Sequence, residues 1–198
     1  MGGTPTPLPV PNPGPTAATP GPHPGPEPGP SGLGEREFPK EPLFGKDAVC
    51  EALSWNAAVG ALKDLATDAK WDRKELTVTV AKEDIVKAAQ AAQAAGYNFF
   101  EDVTAVDWYP QEPRIQLSYS LLSHKLKQRI RIAVRLDSDG LALDSITSVW
   151  PSANFYEREV FDLFGVTFHG HPRLTRIMMP ENWKGHPLRK DYPVEGYR

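Results

Sequence analysis

Three of the chain's five histidines, His169, His171 and His186, lie near its C-terminal end. With a carboxylate from Glu157, Glu159 or Asp162 they could supply the three imidazoles and one oxygen ligand of a catalytic zinc. That would make the chain an autonomous metal-dependent hydrolase. The spacing does not select such a site. There is no HExxH pattern, and Gly170 between the first two histidines leaves the local backbone open. His171 and His186 each precede a proline, which favours extended backbone. Histidines held in turns or at an interface are the plainer reading. Glu157 and Glu159 point about 160° apart on a helix, so they do not form an acid–base dyad. No GxGxxG, GxxxxGK[ST] or GxSxG pattern occurs. Cys50 is the single cysteine, so this chain alone holds no four-thiolate zinc site, four-cysteine cluster or intrachain disulfide.

The element that must position these carboxylates is a helix over Asn154–Phe164, ended by Gly165. Asn154 is placed to cap it, with Glu157 three residues on completing a capping box. Leu163, Tyr156, Val160, Phe164 and Phe161 share one broad arc, and Arg158, Asp162 and Glu159 the opposite one. Glu157 falls inside the apolar arc, where a lone carboxylate is costly to bury. Two readings stay open for it: the capping role, or a pairing with an arginine that locks the C-terminal segment to a sheet. Val166–Arg198 has four prolines, no long apolar period and an echo, Gly170-His-Pro and Gly185-His-Pro. It reads as a strap lying along something else.

Upstream, apolar residues from Val49 to Leu65 recur at helical spacing, which predicts a helix over 46–69. Glu75–Val80 alternates and is β-branched, a strand. Lys82–Ala95 is Ala-rich with acids in its first turn and Gly96 behind it, a helix. Strands are expected over Tyr97–Tyr109, Arg114–Ser123 and Lys127–Leu136. In the last, Ile130, Ile132, Val134 and Leu136 alternate with a mostly cationic face, as in an antiparallel strand with one wet side. This order predicts an α+β fold: a two-layer sandwich with a C-terminal helix and an extended strap.

Of residues 1–45, 23 are Pro or Gly and few are apolar, so the segment is expected to be a disordered arm. The division expected is a 1–45 arm, a 46–150 α+β domain and a 151–198 helix-plus-docking segment. Net charge is −3, which does not suit a grip on a phosphate backbone, so no nucleic-acid partner is expected. No apolar run reaches the roughly 20 residues of a membrane span. The N-terminus lacks the charged and apolar regions of an export signal. Met1-Gly2 with Thr6 matches the loose N-myristoylation pattern.

Ser152-Ala-Asn-Phe-Tyr-Glu-Arg-Glu-Val-Phe-Asp-Leu-Phe-Gly165, then His171-Pro172, then Gly185-His-Pro-Leu-Arg-Lys-Asp-Tyr-Pro193, closely resembles the C subunit family of bacterial NADH–quinone oxidoreductase, the 30 kDa subunit of respiratory complex I. The resemblance spans roughly residues 46–198 and is densest over Trp150–Pro193. It implies a mixed, mainly antiparallel sheet and a place in the hydrophilic arm, on the cytoplasmic face of the bacterial inner membrane, with membrane contact only through the complex. The implied role is a non-catalytic scaffold without its own cofactor. FMN and iron–sulfur clusters belong to partner subunits, and the chief partner is the D (49 kDa) subunit. Motif and interface residues implied are Glu157, Arg158, Glu159, Asp162, Gly165, His171, Pro172, Arg176, Gly185, His186, Pro187, Arg189, Lys190 and Asp191. One departure is that Thr175 stands where the family carries a basic residue, with Arg176 next. Membrane-bound [NiFe] hydrogenases and F420H2- or ferredoxin-linked complexes carry a similar subunit, so the electron donor is open at this point.

Overall fold

Two hairpins build the sheet. The pair Arg73-Lys74 turns β2 (Ala66–Asp72) against β3 (Glu75–Val80), and residues 124–127 turn β5 (Ile115–Ser123) against β6 (Gln128–Leu136). β3 and β6 then lie parallel, with Leu76 opposite Ile130 and Val78 opposite Ile132. β4 (Phe99–Asp107) adds antiparallel to β5, and β1 (Leu43–Phe44) antiparallel to β2. The order is β1-β2-β3-β6-β5-β4, and within this six-stranded sheet only the β3–β6 pairing is parallel. The mixed, mainly antiparallel sheet is as expected, although β6 is antiparallel on one side only. This is a computed structural model, and it describes Pro39 and Pro42–Tyr197. The arm read over 1–45, and with it the myristoylation pattern, lies almost wholly outside the described residues.

Register puts the apolar halves of the strands on one face. Trp71, Leu76, Ile130, Leu121 and Phe100 form one row across the sheet, and Val78, Ile132, Tyr119 and Val103 the next. Val49, Leu62, Ala88 and Val160, from four helices, join these rows in a single apolar cluster. Each fully buried large side chain contributes roughly 1.5–3 kcal/mol. The other face carries Thr77, Ser118, Ser120, Arg129 and Arg131, and among the described residues no helix covers it, so this part of the chain has two layers.

The helix expected over 46–69 is instead three elements: α1 (Lys46–Ala52), α2 (Ala57–Leu62) and β2. Asn56 breaks the run. Its side chain accepts from Ala58 N–H at 2.9 Å and starts a new helix. Beyond Leu65, pairing with β3 buries Ala69 and Trp71 and overrides local periodicity. α3 (Ile85–Ala94) follows a 3₁₀ turn at Lys82–Asp84, close to the expected bounds. A small parallel pair, β7 (Ala142–Asp144) with β8 (Thr167–His169), is an addition to the expected elements; it turns the start of the strap into a strand.

α4 (Ala153–Phe164) corrects the capping reading. Asn154 lies inside the helix, Ser152 precedes it, and no side chain caps it. The Arg alternative fails as well, because the partners of Glu157 are neither the helix end nor an arginine. Phe100 of β4 stacks with Trp150 (6.0 Å between centroids) and meets Tyr156 edge-on (5.7 Å), which docks α4 on the sheet.

Candidate functional site

α4 is buried on two sides. Ala153, Glu157, Val160 and Phe164 form a stripe at helical spacing facing the core, while Asp162, about 140° from Glu157, is buried under the strap. The sequence puts Asp162 on the polar arc. The strap covers that arc, which is why a carboxylate there is fully enclosed.

Glu157 sits at the junction of sheet, β7 loop and strap. Its Oε2 accepts from the Ser145 hydroxyl at 2.6 Å and its Oε1 from Ile146 N–H at 2.9 Å. His171 Nε2 is 4.0 Å away, and both side chains are wholly buried. His171 Nδ1 accepts from Arg173 N–H, which puts the ring proton on Nε2, where it donates to the Asn154 carbonyl at 3.1 Å. Tyr119 reaches the same cluster from β5, and its hydroxyl has no hydrogen-bond partner among the described residues. Burial pushes the Glu157 carboxyl up to about 7, against the pull of the Ser145 and Ile146 hydrogen bonds. Burial, and then the charge of Glu157, push the Tyr119 phenol well above its ordinary value.

Asp162 does the opposite work. Its Oδ2 takes three successive backbone N–H groups, Ile177 at 3.0 Å and Met178 and Met179 at 2.8 Å, and its Oδ1 takes Arg176 at 2.5 Å. Burial raises its pKa, but the Met179, Ile177 and Met178 N–H groups and Arg176 outweigh it and hold the carboxyl below its usual range. The Asp162 carbonyl accepts from His186 Nδ1 at 2.9 Å, and the Leu163 carbonyl from Leu188 N–H at 3.1 Å. Arg176 also donates to the Gly185 carbonyl, and Arg158 donates to the Thr175 hydroxyl and to the Thr175 and Arg176 carbonyls. Gly165 (φ 80°) ends α4 in the left-handed region, and a Cβ there would stand 2.7 Å from the His186 ring. A Cβ on Gly185 (φ 78°) would meet Tyr192 and Tyr197 at 2.8 Å.

The second latch is at the far end of the strap. Arg114, buried at the start of β5, donates to both oxygens of buried Asp107 (2.9 and 2.8 Å) and also pairs with Asp191 at 2.8 Å. Lys190 N–H donates to Asp107 at 2.8 Å, Arg189 reaches Asp191 at 3.2 Å, and the Tyr109 ring lies 5.0 Å under the guanidinium. For Asp107, burial is outweighed by Arg114 and the Lys190 and Tyr109 N–H groups, and its pKa falls to about 2. Arg114, with Arg189 behind it, drives the Asp191 carboxyl far below the ordinary range.

The motif residues therefore do come together, through bonds inside the chain. Asp191 pairs with both Arg114 and Arg189, and Lys190 contributes its backbone N–H. Pro172 and Pro187 follow the two anchored histidines, and Glu159 is exposed. His169, His171 and His186 do not converge, and among the described residues no group of three or more His, Cys, Asp or Glu is arranged to hold a metal. The zinc-hydrolase alternative loses its ligand set. Sequence reasoning misses Asp107, Arg114, Ser145 and Tyr119. The facing ends of two neighbouring strands, one acidic and one basic, are a readable signal for Asp107 and Arg114; nothing marks Ser145.

The family described as "Respiratory-chain NADH dehydrogenase, 30 Kd subunit" matches residues 78–198, which include both latches. The chain belongs to this family. The C subunit of NADH-quinone oxidoreductase from Citrifermentans bemidjiense is 45% identical over 146 residues, covering 71% of this chain and 91% of that protein. Its counterpart in Geobacter metallireducens is 47% identical over 131 residues, covering 65% and 81%. A chain from the structure of the membrane-bound sulfane sulfur reductase, an archaeal respiratory membrane complex, superposes with a TM-score of 0.62 at 27% identity, over 72% of this chain and 86% of that one.

Proposed function

We propose that this 30 kDa-family chain is a structural subunit in the hydrophilic arm of a proton-translocating NADH–quinone oxidoreductase, carrying no cofactor itself. FMN and iron–sulfur clusters reside on its neighbours, chiefly reached through the D (49 kDa) subunit, on the cytoplasmic face of the bacterial inner membrane. A lone cysteine is consistent with the cofactor reading, since a cluster needs more thiolates than the chain owns. Among the described residues no helix is long and apolar enough to cross a membrane, which fits membrane contact made through the complex. The bacterial relatives are named as quinone oxidoreductase subunits, which favours that donor–acceptor pair over the hydrogenase-type and F420H2- or ferredoxin-linked alternatives.

The observation that carries the reading is the strap's two-sidedness. Its polar groups turn inward to Asp162 and Arg114, while Ile177, Met178, Trp183, Leu188, Val194 and Tyr197 stay exposed. Large apolar side chains on a segment pinned at both ends suit a preorganised protein interface. Truncation after Gly165 would strip Asp162 and Asp107 of donors and so mixes folding with docking. Point changes separate them. Trp183→Ser with Leu188→Ser should leave the melting temperature of the chain unchanged and reduce its co-purification with the other subunits of the oxidoreductase. Undiminished co-purification of that variant rejects the docking role.

A further inference from the structure

The parallel β3–β6 pairing has a consequence at the end of the sheet remote from Arg114. Because Leu76 stands opposite Ile130, the β2–β3 turn and the β5–β6 turn emerge side by side, about 10 Å apart at two strand spacings. The first turn is Arg73-Lys74 and the second His124-Lys125-Leu126-Lys127, and all but Leu126 are exposed, as is the adjoining Arg129. Lys125 and Lys127 make no ion pair among the described residues, whereas the arginines just behind them are neutralised, Arg131 by Glu75 at 2.7 Å and Arg129 by Glu101 at 3.0 Å.

The backbone at these tips does not suit its residues. Arg73 (φ 54°), Lys74 (φ 61°) and Lys127 (φ 52°) are all left-handed. A two-residue hairpin turn with both φ positive is the place for Asn-Gly or Asp-Gly. Left-handed backbone disfavours long side chains, yet three cations occupy such positions in two separate turns. Phe99, at the start of β4 beside this end, is exposed and meets the His124 ring edge-on at 5.2 Å. It supplies an aromatic anchor next to the cations.

We propose that this end of the sheet is a second docking surface, for an acidic patch on a neighbouring protein chain. Exposed cations grouped beside an exposed aromatic ring favour a protein face over a continuous phosphate backbone, and the width suits one acidic helix or loop with an apolar spot for Phe99. The site is separate from the strap: nine-residue β5 puts it about 27 Å from the Arg114 latch. It rests on the reading that the chain works inside a multi-chain assembly.

The test uses the native oxidoreductase, purified from membranes with the full chain in place. A zero-length carbodiimide joins lysine amines only to carboxylates in contact with them. Peptide mapping should find Lys74, Lys125 or Lys127 joined to Asp or Glu of another subunit. A variant carrying Arg73→Asn, Lys74→Gly, Lys125→Ser and Lys127→Asn relieves the backbone, so its melting temperature should equal or exceed that of the parent. Its retention in the complex should fall about tenfold relative to the parent at physiological salt, and the gap between the two should narrow as salt rises and screens the parent's cations. A folded variant retained like the parent, with no such cross-links, overturns the proposal. So does loss of the purified chain's binding to anionic phospholipid vesicles or to RNA in the variant without protein cross-links, which would assign the cations to a lipid or a nucleic acid. The parent's presence in the complex is the control for the underlying reading, so failure of that reading and failure of this surface give different results.

Discussion

Glu157→Gln converts the buried carboxyl into a group that does not ionise, and the structure fixes both the sign and the size of the effect. Burial raises the folded-state pKa from 4.5 to about 7. The unfolded chain therefore releases this proton near pH 4.5, and the folded chain holds it until near pH 7. The stability from this group is fully present below the unfolded value and is lost as pH rises through the folded one. A displacement of about 2.5 units corresponds to roughly 3 kcal/mol. Gln can keep the contacts: its oxygen accepts from Ile146 N–H, and its amide donates to the Ser145 hydroxyl, which lies 2.8 Å from Thr147 Oγ1 and can turn its own proton there. Urea unfolding of the full chain at pH 5, 6, 7 and 8, parent against variant, cancels every other titrating group common to both. The variant should gain on the parent progressively, by up to about 3 kcal/mol between pH 4.5 and 7, and then level off. A difference that stays constant from pH 5 to 8 would refute the reasoning. Glu157→Leu leaves the Ile146 N–H unmet and should be about 1–3 kcal/mol less stable than Glu157→Gln at every pH, since neither side chain ionises.

The latches give three further outcomes. Arg114→Met strands the Asp107 carboxylate and should cost about 3–5 kcal/mol in urea unfolding, whereas Asp191→Asn, at a half-exposed position, should cost under about 1 kcal/mol. Asp107 titrates at about 2 when folded against 3.8 otherwise, so its contribution of about 2 kcal/mol is present above pH 4 and lost as pH falls through 2; Asp107→Asn should flatten that part of the acid unfolding curve. Gly165→Ala forces a Cβ into the His186 ring in a left-handed position and should speed proteolysis of the strap, read by limited digestion, while leaving α3 protected in hydrogen exchange.

Strand alternation makes β3, β5 and β6 legible, because burial of one face imposes a period of two that the residues themselves display. The stretch from Lys46 to Ala69 reads wrongly as one helix because local spacing cannot report a pairing with β3 that only the hairpin supplies. Glu157 stands out as anomalous inside an apolar arc, but its partners, Ser145 and Ile146, precede α4 in a loop with no distinguishing pattern. Asp162 looks like a solvent residue for a related reason: the surface it faces is made by the strap, whose course depends on the carboxylate itself. The motif residues are legible as a set through family resemblance. Their partners Asp107 and Arg114 lie outside the motif; the acidic end of one strand and the basic start of the next hint at them, and the register of β4 and β5 brings them together.

Amide exchange over the strap tests the central claim most directly. In the isolated chain and in the assembled oxidoreductase, Ile85–Ala94 should exchange alike, while Ile177–Tyr197 should be markedly better protected in the assembly, because its outward apolar face is then covered. Equal exchange over Ile177–Tyr197 in the two states would contradict the account.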